Sequence, residues 1–187
     1  MIRVAVLTVS TSGSKGSRDD LSGPKISEVL DDSEYQQVKY GIVEDDIDKI
    51  SDILCEWSDD GSVDIIVTTG GTGIARSDVT PDACLRIIDR EVPGMSEAIR
   101  SHSLSFTPMA MLSRSIVGIR KCTLIITLPG SPKAIDQCLE VVKPVLPHIV
   151  ELLNVTTSST SSITSTKIFC RVDTLALISF LLSQDLS

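Results

Sequence analysis

D-I-I-V-T-T-G-G-T-G-I-A-R-S-D-V-T-P-D-A, residues 64–83, reads as a buried strand, a glycine-rich turn, a loop and the start of a helix. Ile65 to Thr68 is a β-branched run that suits the middle of a sheet. Gly70, Gly71 and Gly73 permit backbone angles closed to other residues and let a ligand approach the main chain. Thr80 is a natural helix N-cap, Pro81 a natural first helical residue, and Asp82 complements the positive helix end. Backbone N–H groups and hydroxyls therefore gather beside one acid, Asp78. An anion site with a carboxylate next to it is what phosphate-plus-metal chemistry needs. The loop is not a P-loop, since no Gly-Lys-Ser/Thr follows the spacer, and it lacks the spaced dinucleotide fingerprint.

Outward from that corner, the chain repeats the same pattern. Val4–Val9 reads as the first strand, followed by a long polar loop, Ser10–Gly23, and a helix opened by Pro24 and running through Leu30. A second strand is expected over Gln37–Val43, then the acids Glu44, Asp45 and Asp46, then a helix over Ile47–Trp57. The bare reading of those acids is complementation of the helix dipole. Pro93-Gly94 breaks the chain before a helix over Met95–Leu104. Two β-like pieces follow, Ser115–Ile119 and Thr123–Leu128, with Arg120-Lys121 as a solvated turn between them. Pro129-Gly130-Ser131-Pro132 forms another strand-to-helix corner, with Ser131 as cap. The helix after it reaches about Val142, is kinked or restarted at Pro144 and Pro147, and ends near Leu153.

Alternating strands and helices predict an α/β fold with a mostly parallel sheet covered on both faces. Ligands bind such sheets beyond the carboxyl ends of the strands. The corners Ser10–Gly23, Gly70–Thr80 and Pro129–Ser131 should therefore share one edge.

Composition narrows the classes. At 187 residues the chain is one domain with an appendage, and 42% hydrophobic residues suffice for a core. Aromatics at 3% leave few stacking platforms, and a net charge of −8 argues against a general nucleic-acid binder. Cys55, Cys84, Cys122, Cys138 and Cys170 are odd in number, contain no C-x-x-C, and read as buried free thiols of a reducing compartment. His102 and His148 form no ligand motif, so zinc is not expected. Met1-Ile2-Arg3-Val4 enters a strand directly, without signal-peptide character, and a cytosolic protein is expected. Thr156–Thr166 is almost all Ser and Thr, a linker composition, and the apolar run within 167–187 is too short to span a bilayer. The organisation expected is a domain over 1–154 and an appended segment, 155–187.

Motifs now occur in a recognisable order: T-V-S at 8–10, D-L-S-G-P at 20–24, T-G-G-T-G at 69–73, D-V-T-P at 78–81, V-P-G at 92–94, M-L-S-R at 111–114 and T-L-I-I-T-L-P-G-S-P at 123–132. The chain resembles the MogA/MoaB molybdenum cofactor biosynthesis family over about residues 3–153. The run from Phe106 to Pro132 looks closest to the G domains of gephyrin and its plant counterpart. The resemblance implies a three-layer αβα fold, a homotrimer, and a molybdopterin adenylyltransferase that converts molybdopterin and Mg-ATP into adenylylated molybdopterin and pyrophosphate. It implies that Gly70, Gly71, Thr72 and Gly73 cradle ligand phosphate. Ser10, Asp20, Ser22 and Gly23 match the family's first loop, and Pro129, Gly130 and Ser131 its third. Asp45 and Asp78 match the two acids the family ties to catalysis, with Mg²⁺ as their metal. A molybdenum-insertase domain or protein is the implied partner. Thr11, Glu44 and Ser77 depart from the family pattern, where Asp, Pro and Arg are usual. A MoaB-like binding module and a gephyrin-like scaffold are the alternatives.

Overall fold

The structure is a computed structural model that describes residues 1–158, with side chains through 155. Its centre is a six-stranded sheet ordered β2-β1-β3-β6-β5-β4. The strands are β1 (Ile2–Val9), β2 (Tyr35–Val43), β3 (Ile65–Thr69), β4 (Arg90–Glu91), β5 (Val117–Arg120) and β6 (Thr123–Leu128). β1, β2, β3 and β6 run parallel, while β5 and β4 are antiparallel additions at one edge. The helices are α1 (Thr11–Ser14), α2 (Ser22–Val29), α3 (Ile47–Asp59), α4 (Thr80–Ile87), α5 (Pro93–Leu104), α6 (Pro132–Val142) and α7 (Leu146–Ser158). The fold is thus three-layer αβα, as expected.

The two faces of the sheet follow from side-chain alternation along each strand. Val4 and Val6 of β1 join Ile65, Val67, Leu124 and Ile126 in a core covered by α2, α5, α6 and α7. Ala5, Leu7 and Val9, with Ile66 and Ile125, meet Ile50 and Leu54 of α3 and Cys84 of α4 on the other face. Both faces of β3 are therefore closed, which is why its sequence is apolar without polar alternation.

Several local expectations are corrected. The loop Ser10–Gly23 is not wholly irregular: Ser10 caps the helical turn α1, its hydroxyl accepting from the Gly13 N–H at 3.1 Å. α2 opens at Ser22, so Pro24 sits inside its first turn. Thr80 is already the first helical residue and makes no cap; its hydroxyl instead donates to the Gly70 carbonyl at 2.8 Å. Pro93-Gly94 opens α5 rather than breaking the chain before it. Ser131 occupies the N-cap position of α6 without a side-chain cap bond. Arg120 is not a solvated turn residue: its guanidinium grips both carboxylate oxygens of Asp59 at 2.8 and 2.9 Å, while Lys121 alone takes the positive φ of the hairpin turn. α7 continues to Ser158, because no Gly or Pro follows Pro147 to stop it. The remaining appended residues, including Cys170, lie outside the described residues.

Among the described residues no helix is long and apolar enough to cross a membrane. Cys84 and Cys138 are buried free thiols, as expected, whereas Cys55 and Cys122 are half-buried. Burial pushes the Cys84 thiol up to about 12 and the Cys138 thiol upward as well, which disfavours the thiolate a nucleophile requires.

Candidate active site

The three corners meet at the carboxyl ends of β1, β3 and β6. The Gly70 N–H donates to the Leu128 carbonyl at 3.1 Å, and the Thr69 hydroxyl donates to the Pro129 carbonyl at 2.8 Å. Ser22 closes the ring from the first corner, its hydroxyl donating to the Gly130 carbonyl at 2.7 Å. Ser10, Ser22, Gly70 and Gly130 consequently line one cleft of about 180 Å³, together with Thr8, Thr69, Arg18 and Asp20. A second groove, of about 390 Å³, shares Gly70 and Gly130 with the first. Gly71, Thr72, Gly73, Asp78, Pro129 and Ser131 line it, facing apolar residues such as Ile99, Ala110 and Leu112.

The loop backbone explains its composition. Gly70 has φ +97°, and a Cβ there would drive into the Val9 carbonyl oxygen at the end of β1. Gly70→Ala therefore meets both a left-handed backbone and a rigid main-chain obstacle. It is expected to cost roughly 2–4 kcal/mol of stability by denaturant unfolding; a loss under about 0.5 kcal/mol would contradict this geometry.

The two acids reach this loop from different elements. Asp45, between β2 and α3, accepts with Oδ2 from the Thr11 N–H at 2.8 Å and the Thr11 hydroxyl at 2.7 Å. Its Oδ1 lies 3.3 Å from where a Cβ on Gly71 would sit. Asp78 accepts with Oδ2 from the Ala75 N–H at 2.9 Å, and that oxygen lies 2.7 Å from a Cβ placed on Gly73. The carboxylates thus flank the four-residue turn Gly70–Gly73, each committing one oxygen to the protein. Asp46 points elsewhere: it caps α3, accepting from the Lys49 N–H at 3.0 Å. Glu44 is ion-paired with Lys49, which offsets the charge it adds near Asp45.

Asp20 lines the cleft but is occupied. Its Oδ1 accepts from the Ser22 and Gly23 N–H groups at 2.9 and 3.0 Å, and its Oδ2 from the Thr8 hydroxyl at 2.5 Å and from the Tyr40 hydroxyl. Burial works to raise its pKa, but these four donors outweigh it and hold the carboxyl below the usual range. A native state that favours the carboxylate gains stability above the unfolded pKa and loses it as pH falls through the lower folded value. Asp20→Asn should therefore lower stability near neutrality and remove part of the acid-side slope of thermal stability against pH. An unchanged slope would count against the four-donor network. Burial first, and the Asp20 carboxylate second, push the Tyr40 hydroxyl up to about 12.

Residues that sequence reasoning did not assign complete the site. Thr8 and Thr69 stand within the motifs T-V-S and T-G-G-T-G without an assigned role, and both sit at strand ends lining the cleft. Arg114 joins the glycine loop to α4, and its side-chain partners lie 32 to 41 positions earlier, beyond any local pattern.

The residues fit a hard divalent cation in chemistry: two carboxylates, each with a remaining oxygen, beside a glycine loop. Among the described residues no group of three or more metal-binding side chains forms. Mg²⁺ suits such a sparse set, because it keeps several waters and shares phosphate oxygens.

Comparison with known proteins agrees with this fold. The profile of the family described as a probable molybdopterin binding domain matches residues 5–148. A molybdopterin adenylyltransferase of Helicobacter pylori is 45% identical over 156 residues, covering 81% of this chain and 88% of that protein. The Dictyostelium discoideum gephyrin is 42% identical over 81% of this chain but only 22% of its own length. Identity therefore does not set the eukaryotic G domains above bacterial relatives. Among solved structures, a MoaB molybdopterin biosynthesis enzyme from Thermus thermophilus superimposes with a TM-score of 0.78 at 45% identity, covering 83% of this chain and 98% of that one. A MogA structure gives 0.77 at 34% identity, covering 81% and 99%. Fold, ordered motifs and coverage agree: the chain belongs to the MogA/MoaB family of probable molybdopterin-binding domains.

Proposed function

We propose that the protein is a molybdopterin adenylyltransferase, consuming molybdopterin and ATP and yielding adenylylated molybdopterin and pyrophosphate. One observation carries this reading: the carboxylates of Asp45 and Asp78, delivered by different corners, flank a single glycine loop that opens on two clefts. The relatives described as molybdopterin adenylyltransferases in Helicobacter pylori and Escherichia coli support it.

The chemistry asks little covalently of the protein. A phosphate oxygen of the pterin attacks the α-phosphorus of ATP, the new P–O bond forms, and the α–β bridging bond breaks to release pyrophosphate. The nucleophile is already anionic near neutrality, so no strong base is needed. The task is to hold two polyanions in line and offset their charge. N–H groups of Gly71–Gly73 offer donors to phosphate, the Gly70 N–H being held by the Leu128 carbonyl, and the hydroxyls of Ser10, Ser22 and Ser131 stand at the cleft margins. Mg²⁺, when bound, supplies neutralising charge on the ATP phosphates, and Asp45 and Asp78 would hold it or its waters. Thr11 fixes the orientation of Asp45 with two hydrogen bonds. Incubation with molybdopterin and Mg-ATP should yield adenylylated pterin and pyrophosphate in equal amounts; pterin binding with no product would sink the reading.

A binding-only role is the second reading. It is favoured by Thr11, which stands where the family usually has an acid and already engages Asp45 Oδ2. The same assay separates the two. A homotrimer and a molybdenum-insertase partner are part of the proposal, and sedimentation equilibrium at micromolar concentration reads the former.

A further inference from the structure

Arg114 lies between the 3₁₀ turn Pro108–Leu112 and β5, far in sequence from the glycine loop. It is nonetheless tied to the loop along its whole length. Its backbone N–H donates to the Thr72 carbonyl at 2.8 Å, and its Nε to the Gly73 carbonyl at 2.8 Å. Its Nη2 donates to the Asp78 carbonyl, and the guanidinium fork closes on Asp82 of α4 at 2.9 and 3.1 Å. Asp82 is thus the counter-ion of Arg114 as well as a first-turn helix acid. Asp82 and the Arg114 side chain are well exposed, and an exposed ion pair alone contributes about 0–1 kcal/mol. The ion pair is therefore not what distinguishes the residue. Two carbonyls of the loop, one belonging to Asp78 itself, are held by one rigid planar group whose far side is pinned to α4.

We propose that Arg114 is a positioning residue that sets the placement of Asp78 against Gly70–Gly73, with Asp82 holding the guanidinium in register. Lysine cannot reproduce this, since one ammonium on a flexible stem cannot span two carbonyls and a bidentate carboxylate. The kinetic arm of the test rests on the adenylyl-transfer reading; an exchange arm does not.

The full chain is compared with Arg114→Lys, Arg114→Ala and Asp82→Asn. Arg114→Lys should lower kcat about tenfold or more while molybdopterin affinity changes less than about threefold, because a misplaced acid affects transfer rather than binding. Added guanidinium should restore part of the Arg114→Ala rate. Amide hydrogen exchange should accelerate over residues 72–78 in Arg114→Lys, with β1 and β3 unchanged. Wild-type kcat in Arg114→Lys would overturn the proposal. So would a loss accompanied by equally raised exchange in β1 and β3, which would mark a purely global effect. If the wild-type protein transfers no adenylyl group, the functional reading falls. The exchange arm then decides alone, with unchanged exchange over 72–78 overturning the positioning role.

Discussion

Asp78→Asn is expected to leave molybdopterin binding in place and to lower adenylyl transfer by roughly 10²–10³-fold, about 3–4 kcal/mol. The substitution keeps size, and the asparagine carbonyl oxygen can still accept the Ala75 N–H that Asp78 Oδ2 now holds at 2.9 Å. What disappears is the negative charge beside Gly73. On the proposed function pterin binding would rest on N–H groups and hydroxyls and should survive, whereas cation-assisted transfer would depend on the charge. Calorimetry for binding beside a transfer assay reads both. Near-normal turnover in Asp78→Asn would remove Asp78 from the machinery.

The second large effect is at Asp45, with its sequence neighbour as the control. Asp45→Asn should reduce transfer to a similar degree, since it too removes a charge beside the glycine loop, at Gly71. The double variant should be little worse than either single, as for groups that act as one unit. Asp46→Asn should leave transfer intact. Asp46 caps α3, and asparagine caps about as well as aspartate, so only the dipole contribution is lost, at most about 1 kcal/mol of stability. Sensitivity at Asp46 rather than Asp45 would show that the wrong acid of V-E-D-D has been placed at the loop.

Sequence reasoning reached the parallel core because β1, β3 and β6 are apolar runs that lead into corners containing glycine, serine or proline, a pattern local to each strand. It also anticipated that three corners share one edge, a consequence of parallel topology alone. The antiparallel edge was harder. β4 is only Arg90–Glu91, exposed and charged, so nothing apolar marks it. The Lys121-Cys122 hairpin turn carries no glycine, and its positive φ falls on a lysine. Thr80 looked like a cap because Thr-Pro-Asp is a common helix opening. The choice between capping α4 and tying the Gly70 carbonyl is made by the loop, which lies ten residues earlier. Asp20 was legible as a cleft residue but not as one whose oxygens are all taken, since Thr8 and Tyr40 come from two different strands. Arg114 lay within a family motif, yet only the fold shows its carbonyl partners.

The most direct measurement of the central claim is a single-turnover experiment with molybdopterin pre-bound and ATP labelled at the α-phosphate. The account predicts that label moves to the pterin with one pyrophosphate released per adenylylated product, and that the Asp78→Asn protein binds the same pterin with that transfer slowed by orders of magnitude. Label recovered only as free AMP, or remaining in ATP while the wild-type protein holds pterin, would contradict it.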